Sequence, residues 1–173
     1  MGVNEVALGI TLGIAAFTDW HEHKIYNKLL FPAFLIALLL HIVQGGISIL
    51  ANSLLGAAVG FALLLLPYLM GGMGAGDVKL LAVIGAFGGV PFVLTSFLYG
   101  AIIGGLISVF LLARRKAMVS TLKHFLLFLP LRQKPQHLSE SMSNARQEKF
   151  PYGIAIALGT LLALFLPLGG GWS

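Results

Sequence analysis

The chain has 173 residues, of which 58% are hydrophobic and only 10% are charged, and its mean hydropathy is +0.94. Soluble domains are usually about 45–50% apolar, and the excess here lies in long runs, which indicates a membrane protein rather than a large soluble core. The sequence contains no cysteine, which excludes a disulfide framework, a zinc site with cysteine ligands and a thiol nucleophile.

Six apolar segments follow one another along the chain. They cover roughly residues 3–18, 29–43, 54–70, 78–88, 91–113 and 152–168. A helix needs about 20 residues to cross the hydrocarbon core, with a range of about 17–25, so the first two segments are slightly short and the fourth is clearly short. Glycines and a proline at residues 88–91 separate the fourth segment from the fifth.

All eleven basic residues follow the first, third or fifth segment. They are Lys24, Lys28, Lys79, Arg114, Arg115, Lys116, Lys123, Arg132, Lys134, Arg146 and Lys149. Cytoplasmic loops collect lysine and arginine, so we predict an all-α, polytopic membrane protein of about six transmembrane helices with both termini outside. This distribution also accounts for the net charge of +5 with a lipid bilayer as partner and no nucleic acid.

The segment at about 114–150 is the one sizeable loop of the predicted topology. It begins with three basic residues, has an apolar middle broken by Pro130, and ends in a polar stretch. We interpret it as a partly interfacial cytoplasmic loop of a single membrane-embedded domain spanning residues 1–173. A substrate-binding surface or an amphipathic interfacial helix remains an alternative.

Pairs of glycines spaced four residues apart occur in the apolar segments. The pairs are Gly9/Gly13, Gly56/Gly60, Gly85/Gly89 and Gly100/Gly104. In lipid, such pairs let helix backbones approach one another closely. Each pair is therefore a candidate helix contact.

The chain has only two aspartates, Asp19 and Asp77. An ionised aspartate at membrane depth costs about 2.5–3.5 kcal/mol on insertion scales, so it is a candidate for function. The topology inferred from lysine and arginine alone puts Asp19 at the cytoplasmic end of the first span and Asp77 at the cytoplasmic start of the fourth. Both carboxyl groups are therefore predicted to lie on one face at similar depth.

Two neighbouring carboxyl groups can hydrolyse a peptide bond without a metal. One accepts a proton from the attacking water while the other, protonated, donates to the carbonyl oxygen. The simpler interpretations are an interfacial aspartate for Asp19, near Lys24, and a helix N-cap for Asp77.

The sequence around Asp77 resembles a known motif. Residues 74–80, Gly-Ala-Gly-Asp-Val-Lys-Leu, resemble the GxGDxKL motif of the type IV prepilin peptidases. Asp19, followed by Ile-Tyr-Asn at 25–27, resembles the first catalytic aspartate of that family and its downstream Ile-Pro-Asn. Phe-Pro-Tyr-Gly at 150–153 resembles the family's Pro-Phe-Gly at the start of the last helix.

The resemblance implies an intramembrane aspartic endopeptidase that cleaves the leader sequence of prepilin-like substrates at the cytoplasmic face. Asp19 and Asp77 would be catalytic, and Gly74, Gly76 and Lys79 would bind substrate; glycines allow a peptide to approach closely. Lys79 could instead pair with an aspartate or anchor its helix at the headgroups. The implied partner is a prepilin-like protein with an apolar N-terminal helix. No metal or cofactor is expected, and the implied location is the cytoplasmic membrane of a prokaryote.

The chain departs from the family pattern in two respects. Tyr26 replaces the usual proline, so the turn into the second span is predicted to differ. The insertion with paired cysteines that large bifunctional members carry is missing from this sequence. We therefore expect the short, peptidase-only form, without N-methyltransferase activity.

Three other classes of function fit parts of the sequence. The two aspartates could relay protons in a small transporter or channel subunit. The chain could be a structural partner in a secretion system, or a presenilin-like peptidase, although it lacks that family's Pro-Ala-Leu motif. Residues 21–23, His-Glu-His, lack the His-Glu-x-x-His spacing of a zinc helix.

Overall fold

The structure, a computed structural model, describes residues 2–22, 25–114 and 152–166. These residues form four helices: α1 (Val3–Glu22), α2 (Asn27–Leu69), α3 (Ala75–Arg114) and α4 (Tyr152–Phe165). No strand occurs within the described ranges, so the prediction of an all-α protein is confirmed. Apart from the backbone of Arg114, the predicted basic loop lies outside the described residues.

The chain divides into two compact units. One comprises residues 1–104 and 151–173, and the other comprises residues 105–150. Of the second unit, only 105–114 are described, as the C-terminal part of α3. The packing and the candidate site below belong to the first unit. That the chain works as a single membrane-embedded domain stays a prediction.

The helix α2 reverses direction at Gly46. Its backbone there has φ 68° and ψ −152°, a conformation essentially restricted to glycine. Asn27 is bonded to Lys79, while Gly60 packs against Leu81, two residues further along α3. In a straight helix, Asn27 and Gly60 would lie about 50 Å apart. Residues 27–45 and 47–69 are therefore two segments, here called α2a and α2b.

The helix α3 reverses in the same way at Gly89, where φ is 72° and ψ is −172°. Leu81 and Val93, on opposite sides of Gly89, both lie against Gly60, although a straight helix would separate them by about 18 Å. Residues 75–88 and 90–114 thus form segments α3a and α3b. The two reversals lie between the apolar segments that the sequence analysis distinguished.

With these two reversals the described residues contain six helical segments. By length and composition, α2 and residues 75–110 of α3 could cross a membrane. The number of spans and the side on which the termini lie stay predictions.

Glycines bring several helices into close contact. Gly56 in α2b lies directly against Gly85 in α3a, and Gly159 in α4 lies against the backbone of Gly100 in α3b. No room remains for a side chain at these positions. By contrast, a Cβ added at Gly9 would have no atom of the described residues within 4 Å, and Gly13 is the same. The candidate contact at Gly9 and Gly13 is therefore not made in the described part of the molecule.

The outward surface of the helices is strongly apolar. Many large apolar side chains in α1, α2 and α4 are exposed, among them Phe17, Phe31, Ile47 and Phe165. Soluble monomers rarely expose apolar surface on this scale. Lipid chains could cover this apolar surface, whereas its contact with water would be unfavourable.

Candidate active site

Asp19 lies near the C-terminal end of α1 on the face that packs into the protein. The buried positions of this helix, Leu8, Thr11, Leu12, Ala15 and Asp19, recur every three or four residues, which is the spacing of one helix face. Asp19 therefore continues an apolar stripe, and only 5% of its surface is exposed. Its Oδ2 atom accepts a hydrogen bond of 3.3 Å from the backbone N–H of Ile154, in the first turn of α4.

Asp77 lies in the first turn of α3 and is also buried, with 8% of its surface exposed. The backbone N–H of Gly74 donates to Asp77 Oδ2 at 3.2 Å, and the N–H of Asp77 donates to Gly74 O at 3.2 Å. In a capping box, the third helical residue reaches back in this way to the residue that precedes the helix. Asp77 is thus not the N-cap itself but the residue that closes the first turn.

The ends of α1, α3 and α4 bring the two aspartates together. Their carboxyl groups are close enough to interact electrostatically. Ile25, in the link between α1 and α2, packs between the starts of the other two helices. A Cβ added to Gly76 would lie 3.0 Å from Ile25 Cβ, and one added to Gly153 would lie 2.9 Å from Ile25 Cδ1. Residues far apart in sequence therefore form one buried site.

Lys79 lies beside this site, at the edge of a cleft of about 250 Å³ between α2a and α3a. Its Nζ atom donates a hydrogen bond of 2.9 Å to Asn27 Oδ1. The rest of the cleft is apolar. The other lining residues are Leu30, Phe31, Phe34, Ala82 and Val83. An apolar segment with a polar end would match this lining.

The link between α1 and α2 is tied by a side-chain hydrogen bond. The Tyr26 hydroxyl donates to Glu22 Oε2. The hydrogen bond and then the negative charge of Glu22 raise the pKa of Tyr26 above its ordinary value of 10.0. Because Glu22 is exposed and held by Tyr26, it is a poor alternative to Asp19 as the partner of Asp77.

Among the described residues, no group of three or more His, Cys, Asp or Glu side chains could hold a metal; His23 lies outside them.

A comparison with known protein families shows to which family the chain belongs. A model of the type IV leader peptidase family matches residues 6–109. The chain belongs to this family. The matched part of this leader peptidase family member includes Asp19, Asp77 and the glycine turn before Asp77, and it ends before the start of α4. Membership of this family implies a peptidase. Together with the two long apolar helices, α2 and α3, it indicates a membrane protein. Searches of the curated proteins and of the solved structures gave no match.

Asp19 and Asp77 were both predicted from the sequence to be catalytic, and in the structure their carboxyl groups lie close enough to interact. Gly74, Gly76 and Lys79 were predicted to bind substrate, and the structure shows that the Gly74 N–H donates to the Asp77 carboxyl. The hydrogen bond from the Ile154 N–H to Asp19 was not predicted from the sequence. The available signal was the resemblance of residues 150–153 to a family motif. The catalytic and substrate-binding roles of all these residues stay predictions.

Proposed function

We propose that the protein is an aspartic endopeptidase that cleaves the leader sequence of prepilin-like proteins at the cytoplasmic membrane face. One observation carries the proposal. Asp19 and Asp77, the only aspartates in the chain, are both buried and interact with each other. A stability role alone does not explain this, because burying two acidic groups together is unfavourable. Family membership supplies the peptidase class.

The proposed reaction needs no group beyond the two carboxyls. The ionised carboxyl takes a proton from water as the water oxygen bonds to the carbonyl carbon of the scissile peptide. The protonated carboxyl gives its proton to the carbonyl oxygen, so a neutral tetrahedral diol forms. On collapse of the diol, the carboxyl that took the proton from water gives it to the amide nitrogen, a diol hydroxyl gives its proton to the other carboxylate, and the C–N bond breaks. The acid and amine products leave, and the two carboxyls are back in their starting protonation states. The backbone N–H groups of Gly74 and Ile154 orient the two carboxyls.

The surroundings of Asp77 offer a route for an extended peptide. Residues 71–76 contain four glycines, and Gly74 is exposed, so a substrate backbone could approach without meeting side chains. The cleft that begins at Lys79 could take the apolar helix that follows a leader sequence. In this proposal Lys79 contacts the substrate at the polar end of the cleft, steadied by Asn27.

The proposal also includes the location. Six spans with both termini outside would put Asp19, Asp77 and all eleven basic residues on the cytoplasmic side of a prokaryotic inner membrane. The reversals at Gly46 and Gly89 support a path in which successive segments run in opposite directions.

Substitution of each aspartate by asparagine tests the mechanism. Asparagine keeps the size of the side chain but cannot accept or donate the carboxyl proton. Asp19→Asn and Asp77→Asn should each nearly abolish conversion of a prepilin to its shorter form in a gel-shift assay. The double variant should be little worse, since residues that act as a unit are not additive. Inhibitors of serine, cysteine and metallopeptidases should have no effect.

The matched control is Glu22→Gln, which makes the same chemical change at an exposed carboxylate next to the site. It should process substrate at close to the wild-type rate, with all variants compared at equal abundance in membranes. A well-expressed Asp19→Asn variant that cleaves at the wild-type rate would show that the two aspartates are not the catalytic pair.

A further inference from the structure

The start of α4 contacts the Asp19 carboxyl more closely than any side chain would allow. Gly153 is buried, and a Cβ built on it would lie 2.7 Å from Asp19 Oδ2 and 3.0 Å from Asp19 Cγ. Both distances are well inside ordinary van der Waals contact. The same approach brings the next residue, Ile154, within 3.3 Å of Oδ2 through its backbone N–H. The contact and the hydrogen bond therefore depend on each other.

We propose that Gly153 is a positioning residue for the peptidase reaction. Because it has no side chain, α4 can dock against the Asp19 carboxyl, and the Ile154 N–H then fixes the orientation of that carboxyl relative to Asp77. Gly153 does not take part in proton transfer; it acts through Asp19. The inference rests on the proposed function, since only a catalytic Asp19 makes its orientation matter for cleavage.

The surroundings of Gly153 indicate which atoms would yield to an added methyl group. The nearest atoms are Asp19 Oδ2 and Ile25 Cδ1, and both are the ends of side chains that can rotate. At Gly159, in the same helix, the nearest atoms are instead the backbone of Gly100 and Tyr99, which cannot. A methyl group at residue 153 would therefore displace the carboxyl and leave the fold in place.

The test is Gly153→Ala, assayed for kcat and KM with purified enzyme and a prepilin substrate. Because about 1 Å of misplacement can cost about a hundredfold in rate, kcat should fall by about that factor. KM should change little, since Gly153 does not line the cleft at Lys79. The matched control is Gly13→Ala in α1, where an added Cβ meets no described atom within 4 Å; its kcat should equal that of the wild type.

A second substitution separates positioning from general damage. Ile25→Val removes Cδ1, one of the two atoms that crowd the new methyl group, so the methyl group can move into the freed space and the Asp19 carboxyl can return to its place beside the Ile154 N–H. The double variant Gly153→Ala, Ile25→Val should regain about tenfold in kcat over Gly153→Ala, as expected for coupled neighbours. Thermal unfolding of the variants is the control, because a merely destabilising Gly153→Ala would lower the melting temperature without lowering the kcat of the folded enzyme.

The outcomes separate this inference from the proposed function. If Asp19→Asn retains activity, the proposed function fails. If Asp19→Asn is inactive while Gly153→Ala keeps the wild-type kcat, the positioning role is overturned and the proposed function stands. The positioning role is also overturned if Ile25→Val gives no rescue, if KM alone changes, or if Gly153→Ala does not accumulate in membranes.

Discussion

Tyr26 occupies the position where the prepilin peptidase motif usually has proline, and we predicted that the turn into the next helix would differ. The structure gives Tyr26 a φ of −80°, which is within the range that proline adopts. The backbone therefore follows a path that proline would also allow. The tyrosine adds a tie of its own, because its hydroxyl donates to Glu22 across the link.

This tie predicts a measurable titration. The hydrogen bond favours the neutral phenol, so the pKa of Tyr26 is raised above 10.0. The difference in phenolate absorbance between the wild type and Tyr26→Phe should show that Tyr26 ionises above pH 10.0, and Glu22→Gln should shift this ionisation back toward 10.0. Because the pKa of Tyr26 is raised in the folded protein, its hydrogen bond to Glu22 contributes fully to stability below pH 10.0. This contribution is lost as the pH rises through the pKa of Tyr26 in the folded state. Identical titrations of the wild type and Glu22→Gln would contradict the hydrogen bond.

Some glycines allow neighbouring helical segments to pack closely against one another, and others do not. Among the glycine pairs noted in the sequence, Gly56 and Gly85 pack backbone to backbone, while Gly9 faces open space within the described part of the molecule. Ser53 ties the same two segments, because its Oγ donates to Ala86 O at 2.6 Å. Spacing alone cannot distinguish these cases, since it does not say which face of a helix meets another helix.

This difference predicts opposite effects of the same substitution. Gly85→Ala should lower stability by about 1–3 kcal/mol, because the new methyl group meets the Gly56 backbone and α2b and α3a must separate. Gly9→Ala should leave stability unchanged or raise it by up to about 1 kcal/mol, because alanine favours the helix. Thermal unfolding in detergent checks both. Equal melting temperatures for Gly85→Ala and Gly9→Ala would contradict the packing.

The whole molecule combines a buried acidic site with an apolar exterior. The carboxyls lie where the end of α1 and the starts of α3 and α4 meet, whereas Asn4 at the other end of α1 exchanges hydrogen bonds with Gln44 of α2a. The site therefore lies at one end of the helices. In the proposed topology, this is the cytoplasmic end.

Reporter fusions test that topology. A reporter that is active only in the cytoplasm should score when it is attached at residue 130, because the basic loop is retained there. Fusions at residue 45 and after Ser173 should not score, and membrane levels of each fusion provide the control. A cytoplasmic signal after Ser173 would rule out six spans with both termini outside.

The sequence alone predicted an all-α membrane protein and the family to which it belongs. Long apolar runs required helices, because backbone groups in lipid must bond within their own segment. The only two aspartates in an apolar chain marked the candidate site, since buried acids are costly, and the motif at residues 74–80 pointed to the family. These features depend on the amino-acid composition and on the order of residues in short segments, so they can be identified without a structure.

Only the tertiary structure decided how the site is held. The approach of Gly153 to Asp19, the packing of Ile25 between two helix starts, and the bond from Ile154 join residues from separate segments. Backbone N–H groups are the same in every residue except proline, so no pattern in the sequence marks the one that meets Asp19. Which glycines contact a neighbouring helix was likewise decided by how the segments pack, because packing depends on the faces that the reversals at Gly46 and Gly89 bring together.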